Sequence, residues 1–126
     1  MSGKVIHFEI PVDDKNRAVD FFHQVFGWES KPLTKSAGTL ITGENPESGI
    51  NGYFFERSTV PSDFARIIIA VEVDNLEDKI EQVKANAGEM LFGPIDYAGR
   101  GRMAYFKDTE GNIVGMLERK KEDGGS

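Results

Sequence analysis

His7 and Glu9 are the residues of this chain best placed to do chemistry. They stand two apart in the run VIHFEIPV. Alternate side chains of a strand share a face, so the imidazole and the carboxylate point the same way, with Pro11 beside them. An imidazole exchanges protons near neutral pH, and a neighbouring carboxylate can orient it, which is what general acid–base catalysis needs. An imidazole can also hold a metal, but catalytic metal sites usually keep about three protein ligands. No cysteine is present. Thiolate chemistry and disulfides are therefore excluded, which suits a reducing cytoplasm.

The other face of the run, Phe8, Ile10 and Val12, is apolar and needs a cover. Ala18, Val19, Phe22, Val25 and Phe26 follow at helical spacing and predict the helix that supplies it. Asp13 or Asp14 can cap its start, and Gly27 can close its end in the left-handed conformation. A weaker copy of this strand and helix begins at Ile67. A shift of 61 carries Val12 and Asp13 to Val73 and Asp74, Val19 to Ile80, Phe22 to Val83 and Gly27 to Gly88. Asn75 caps the second helix, and Leu76, Ile80, Val83 and Ala87 form its stripe. Phe8, Phe21, Phe22 and Phe26 are assigned to the core. Ile69, Val71 and Val73 are expected to face the second helix as Phe8, Ile10 and Val12 face the first.

The remaining segments read as strands and turns. Strands are expected at 28–33, 39–43 and 51–57, with a turn at 36–38 and a loop at 44–49. Residues 60–63 link the copies. A strand at 66–73 and a helix at 76–87 precede a short strand at 89–92, an irregular stretch at 93–101 holding Tyr97 and Arg100, and a hairpin of strands 102–107 and 112–119 turning at 108–111. The 126 residues fit one domain, and 39% hydrophobic content can build its core. The net charge of −6 without a basic stripe argues against nucleic acid as a partner. Neither a signal peptide nor a membrane-spanning run is expected. Residues 120–126 read as a solvated, flexible tail.

The run HFEIPVDDKNRAVDFFHQVFGW, its repeat at IIIAVEVDN and the ending DTEGNIVGMLER resemble the vicinal oxygen chelate superfamily, which holds glyoxalase I, bleomycin resistance proteins and extradiol dioxygenases. The resemblance spans roughly Lys4 to Arg119. It implies an α+β fold of two βαβββ modules, about 4–57 and 66–119, forming a curved sheet around a cavity. It also implies a small-molecule ligand and a homodimer. Metal-dependent members hold a divalent ion with His, Gln or Glu, about one from each of four strands. On that pattern the first ligand is His7, five residues before Val12. The matching position in the second module is Ile68, and the family's acidic residue three before Glu118 is Gly115 here. Aligning NGYFFER with VGMLER sets Tyr53 opposite Gly115. Only His7 offers a good donor, so a complete metal site is not expected. Glu56 and Glu118 are expected to be solvated or paired with Arg57 and Arg119.

Tyr53, Phe55, Ile68, Met103, Tyr105 and Gly115 are the expected ligand-lining residues, with Gly115 leaving room where a side chain would stand. Three functions fit. The chain binds a small organic molecule with an incomplete metal site. It is a metal-dependent lyase, isomerase or dioxygenase with a non-standard metal shell. Or it sequesters a drug, as bleomycin resistance proteins do with acidic, aromatic-lined grooves.

Overall fold

The computed structural model describes residues 3–43, 48–97 and 99–120. Most of the expected loop at 44–49 and nearly all of the expected tail lie outside them. In chain order the elements are β1 (Val5–Val12), α1 (Lys15–Phe26), β2 (Glu29–Pro32), β3 (Ala37–Ile41), β4 (Asn51–Glu56), two short 3-10 turns, β5 (Ile68–Glu72), α2 (Leu76–Ala85), β6 (Glu89–Asp96), β7 (Gly101–Lys107) and β8 (Ile113–Arg119). This is βαβββ twice over, the expected α+β class. The chain forms two compact units, residues 6–69 and residues 70–126 with 1–5.

In the first unit the strand order is β2-β3-β4-β1. β1 lies parallel to β4, and the other neighbours are antiparallel. α1 forms where its caps allow. Asp14 is extended and accepts the Arg17 amide at 3.0 Å. Gly27 takes φ 75° and donates to His23 O at 2.8 Å. Ala18 and Val19 pack on Phe8, Ile10 and Val12, with Leu40, Phe54 and Trp28 completing the core, so the phase of β1 is as expected. Phe22 stacks on Trp28 at 4.9 Å. Phe21 and Phe26, assigned to the core above, are instead 58% and 62% exposed, and Val25, expected in the covering stripe, is 55% exposed. Phe21 stands about 100° round the helix from Phe22, outside the stripe that meets the sheet, and Phe26 lies in the helix's last turn. Ile69 is also exposed, unlike its expected place under the second helix.

The second unit has the order β5-β8-β7-β6, with β5 parallel to β8 and the rest antiparallel. Its core is Val73, Leu76, Ala104 and Met116, flanked by Ile80, Val83, Met90 and Phe106. Asn75 caps α2 by accepting the Asp78 amide at 2.9 Å. The left-handed closing residue is Ala87, at φ 70°, rather than Gly88. Gly88 donates to Val83 O at 2.8 Å and Ala87 to Lys84 O at 3.4 Å, which closes the helix as a Schellman turn. Gly88 serves close approach instead, since a Cβ there would sit 2.6 Å from Val83 Cγ1. β6 runs on to Asp96, past the expected end, because two register shifts absorb the Gly93–Pro94 interruption. β3 begins at Ala37, so the preceding turn falls earlier than 36–38.

A three-way ion network ties α2 to its sheet. Arg102 on β7 donates to Glu77 in the first turn of α2 at 2.7 and 2.8 Å and to Glu118 on β8 at 2.9 Å. Glu118 also accepts the Leu76 amide at 3.0 Å, a second cap for the helix. Glu118 therefore pairs with Arg102, not Arg119, which bonds Glu72 at 2.8 Å. Arg57 likewise pairs with Asp13 at 2.9 Å rather than with Glu56. The Arg102 hydrogen bonds hold the Glu77 carboxyl down to about 2. The Leu76 amide, then Arg102, holds Glu118 below the usual carboxylate range. Both folded pKa values lie below the unfolded one, so this stabilisation is complete above the unfolded value of about 4.5 and is lost as pH falls toward 2. Arg102→Gln should lower the urea midpoint at pH 7. The gap to wild type should shrink steadily below pH 4.5 and close near pH 2. A gap that is constant or grows on acidification would contradict the network's role.

Candidate functional site

The polar constellation expected on β1 is assembled in the first unit. His7 and Glu9 are both buried, 7% and 8% exposed. His7 Nε2 lies 3.3 Å from Glu9 Oε2, within hydrogen-bond reach although the two are only alternate residues of one strand. When the ring carries a proton on Nε2, that atom donates to the Glu9 carboxylate. The parallel register sets Glu9 directly beside Tyr53. The Tyr53 ring meets the imidazole edge-on, with centroids 5.0 Å apart at 88°. Phe55 is half-buried beside Pro11 in the same ladder. Ile68, also in this unit, is 2% exposed.

The other expected lining residues belong to the second unit. Tyr105 pairs with Gly115 across β7 and β8. Met103 is fully buried, and the Tyr105 hydroxyl points to its sulfur at 3.9 Å. A Cβ on Gly115 would meet Met103 Cε at 3.1 Å and the Tyr105 ring at 3.2 Å. The space expected above Gly115 is therefore taken by these two side chains. A polar cavity of about 670 Å³ escaped the sequence reading. It lies at the α2 end of the second unit and is lined by Glu72, Asp74, Arg102, Glu118 and Arg119 among others. The signal for part of it was in the hairpin. Asp108 and Asn112 bond across the turn, and counting back equally on both sides sets Arg102 opposite Glu118.

Comparison with known proteins bears on this arrangement. The family model described as "Glyoxalase/Bleomycin resistance protein/Dioxygenase superfamily" matches residues 4–116. The chain belongs to that superfamily. A "Glyoxylase-like domain-containing protein" of Didymella fabae is 30% identical over 94% of this chain and 96% of its own length. A "Probable lactoylglutathione lyase" of Vibrio parahaemolyticus is 20% identical over 98% of this chain and 96% of its own. Methylmalonyl-CoA epimerase of Mycobacterium tuberculosis shares the fold, with TM-score 0.70, 14% identity and coverage of 97% and 91% of the two chains.

Of the positions that the resemblance assigns to a metal, His7 carries a donor and Ile68 and Gly115 do not. Ile68 is an alkane side chain. The face of Gly115 is covered by the Met103 methyl and the Tyr105 ring. Among the described residues, no group of three or more His, Cys, Asp or Glu side chains is placed to hold an ion. His7 and Glu9 supply two adjacent donors at most.

The hydrogen bond between them gives a direct test. In ¹⁵N NMR of wild-type protein with neutral imidazole, His7 should show the Nε2–H tautomer. Glu9→Ala, by leaving a buried donor short of its carboxylate, should cost about 1–3 kcal/mol in urea unfolding. An Nδ1–H tautomer in wild type, or a Glu9→Ala midpoint equal to wild type, would show that Glu9 does not hold the ring through Nε2.

Proposed function

We propose that this superfamily member binds a small organic molecule through His7, Glu9 and the adjoining Tyr53 and Phe55, without the complete metal shell of metal-dependent relatives. The observation that carries the reading is the buried His7–Glu9 pair at 3.3 Å, with Tyr53 edge-on to the ring. Burying an imidazole and a carboxylate together costs desolvation that their attraction scarcely offsets. Fold stability alone is therefore a poor reason for the pair, and recognition of a polar ligand group is a good one. The absence of cysteine accords with action in the cytoplasm.

A second reading follows from the same pair. An imidazole beside a carboxylate that can orient it is the pairing that general acid–base chemistry uses. The relatives described as a lyase and an epimerase lend this enzymatic reading weight. Fold likeness does not choose between the two.

Native mass spectrometry and elemental analysis of purified protein test the proposal together. Ni, Zn, Fe and Mn should each be far below one per chain. His7→Ala should keep the fold, as judged by circular dichroism, and lose any co-purifying small molecule or weaken its binding by about tenfold or more. Near-stoichiometric metal that disappears in His7→Ala would overturn the metal-poor reading and favour the enzyme with a non-standard shell. A co-purifying molecule held equally well by His7→Ala would remove the ligand from this site.

The reading includes a homodimer. Phe21, Val25 and Phe26 expose a contiguous apolar face on α1 at 55–62% exposure, the kind of surface that a partner covers. Sedimentation velocity at micromolar concentration should give a dimer. A monomer at high micromolar concentration would reject it.

A further inference from the structure

In the second unit a crevice of about 420 Å³ opens between α2 and the sheet face beneath it. That volume lies within the usual range for small-molecule sites. Its floor is Val71, Val73, Phe106 and Met116, and Val83 of α2 borders it from the helix side. Val71 pairs with Met116 in the β5–β8 ladder, and Phe106 lies two residues beyond the Met116 partner Ala104, so these side chains share one face. α2 has ten residues against twelve in α1, and its Schellman turn carries the chain off at Gly88, leaving this part of the floor uncovered.

The rim is asymmetric in charge. Lys79 is half-buried at the crevice, and among the described residues its ammonium bonds only Gln82 Oε1, at 3.4 Å. Asp108 also borders the crevice, but its carboxylate is engaged by its own turn. Its Oδ1 accepts the Glu110 and Asn112 amides, both at 2.8 Å, and its Oδ2 accepts Asn112 Nδ2 at 3.1 Å. Lys79 gives a negative head one cationic partner beside an apolar surface that suits an alkyl body, while the Asp108 carboxylate is held in its own turn by Glu110 and Asn112.

We propose that this crevice is a second binding site, for a single-chain anionic amphiphile such as a medium-chain carboxylate, whose chain lies on the valine, Phe106 and Met116 floor and whose head meets Lys79 Nζ. The site shares no residue with the His7–Glu9–Tyr53 constellation and does not depend on the function proposed for it.

The test is a methyl-NMR titration of the full chain with octanoate, decanoate and decanol, each below its micelle concentration. Saturable shifts should fall on the methyls of Val71, Val83 and Met116. Decanoate should bind more tightly than octanoate by about fourfold for each added methylene that reaches the floor. Lys79→Gln should weaken decanoate about fivefold and leave decanol unchanged. Val83→Phe should fill the crevice and abolish both. Because that variant crowds the helix, the wild-type map and Lys79→Gln carry the decision where it does not fold. Shifts confined to His7 and Tyr53, affinity independent of chain length, or equal binding of decanoate to wild type and Lys79→Gln would each overturn the proposal.

Discussion

The parallel pairing of each module's first and last strands is the constraint on which the rest depends. Parallel neighbours cannot be joined by a tight turn, so the chain must cross over before it returns. Here the crossover holds a helix and two further strands, giving β4 beside β1 and β8 beside β5. The same pairing fixes what stands beside what. It sets Tyr53 against Glu9, and alternation puts His7 on the face of Glu9. A one-residue slip would turn His7 and Glu9 under α1 and send Phe8, Ile10 and Val12 out of the core formed by Ala18, Val19 and Leu40. Burial of the apolar face thus selects the register, and the register delivers the polar pair.

Local chemistry was legible in the sequence. Asp14, Asn75 and Gly27 act through bonds to residues within one turn, so their roles needed no tertiary information. The hairpin at Asp108 is similar, since one carboxylate satisfies two amides and a side chain of its own turn. The His7–Glu9 pair was legible as a shared face but not as a hydrogen bond, because strand spacing leaves the separation to rotamers. What could not be read locally came from long-range packing. Gly88 was expected in the left-handed position that glycine favours, yet Ala87 takes it, and Gly88 instead stands where Val83 Cγ1 leaves no space for a Cβ. Gly115 read as vacant space, whereas two residues on the facing strand occupy it. Exposure of Phe21 depends on how wide a stripe the sheet presents, which helical periodicity does not state.

The repeat also shows how one fold carries two chemistries. A shift of 61 takes His7 and Glu9 to Ile68 and Ala70, both buried. Ala70 pairs with Gly115 as Glu9 pairs with Tyr53, so the ladders correspond while their side chains do not. One ladder carries a proton-bearing dyad against a phenol ring. The other carries aliphatic and glycine positions against Met103 and Tyr105. The backbone arrangement is common to both, so the chemical character of each module is set by four or five side chains, and superfamily membership by itself assigns neither.

The orientation of His7 narrows what can engage it. Nε2 is the ring atom farthest from the backbone, and Glu9 holds it. A ligand that bonds Nε2 must therefore share or displace the Glu9 carboxylate. Displacement would strip a buried carboxylate of a charge-assisted partner, which favours ligands that bring a donor of their own to replace it. A metal ion at Nε2 would face the same condition and would have to take Glu9 as its second ligand. Such an ion would need further donors, since catalytic ions usually keep about three protein ligands. The Glu9 carboxylate would be the partner both of a ring proton on Nε2 and of an ion bound there, so hydrogen bonding and metal ligation would draw on the same two side chains.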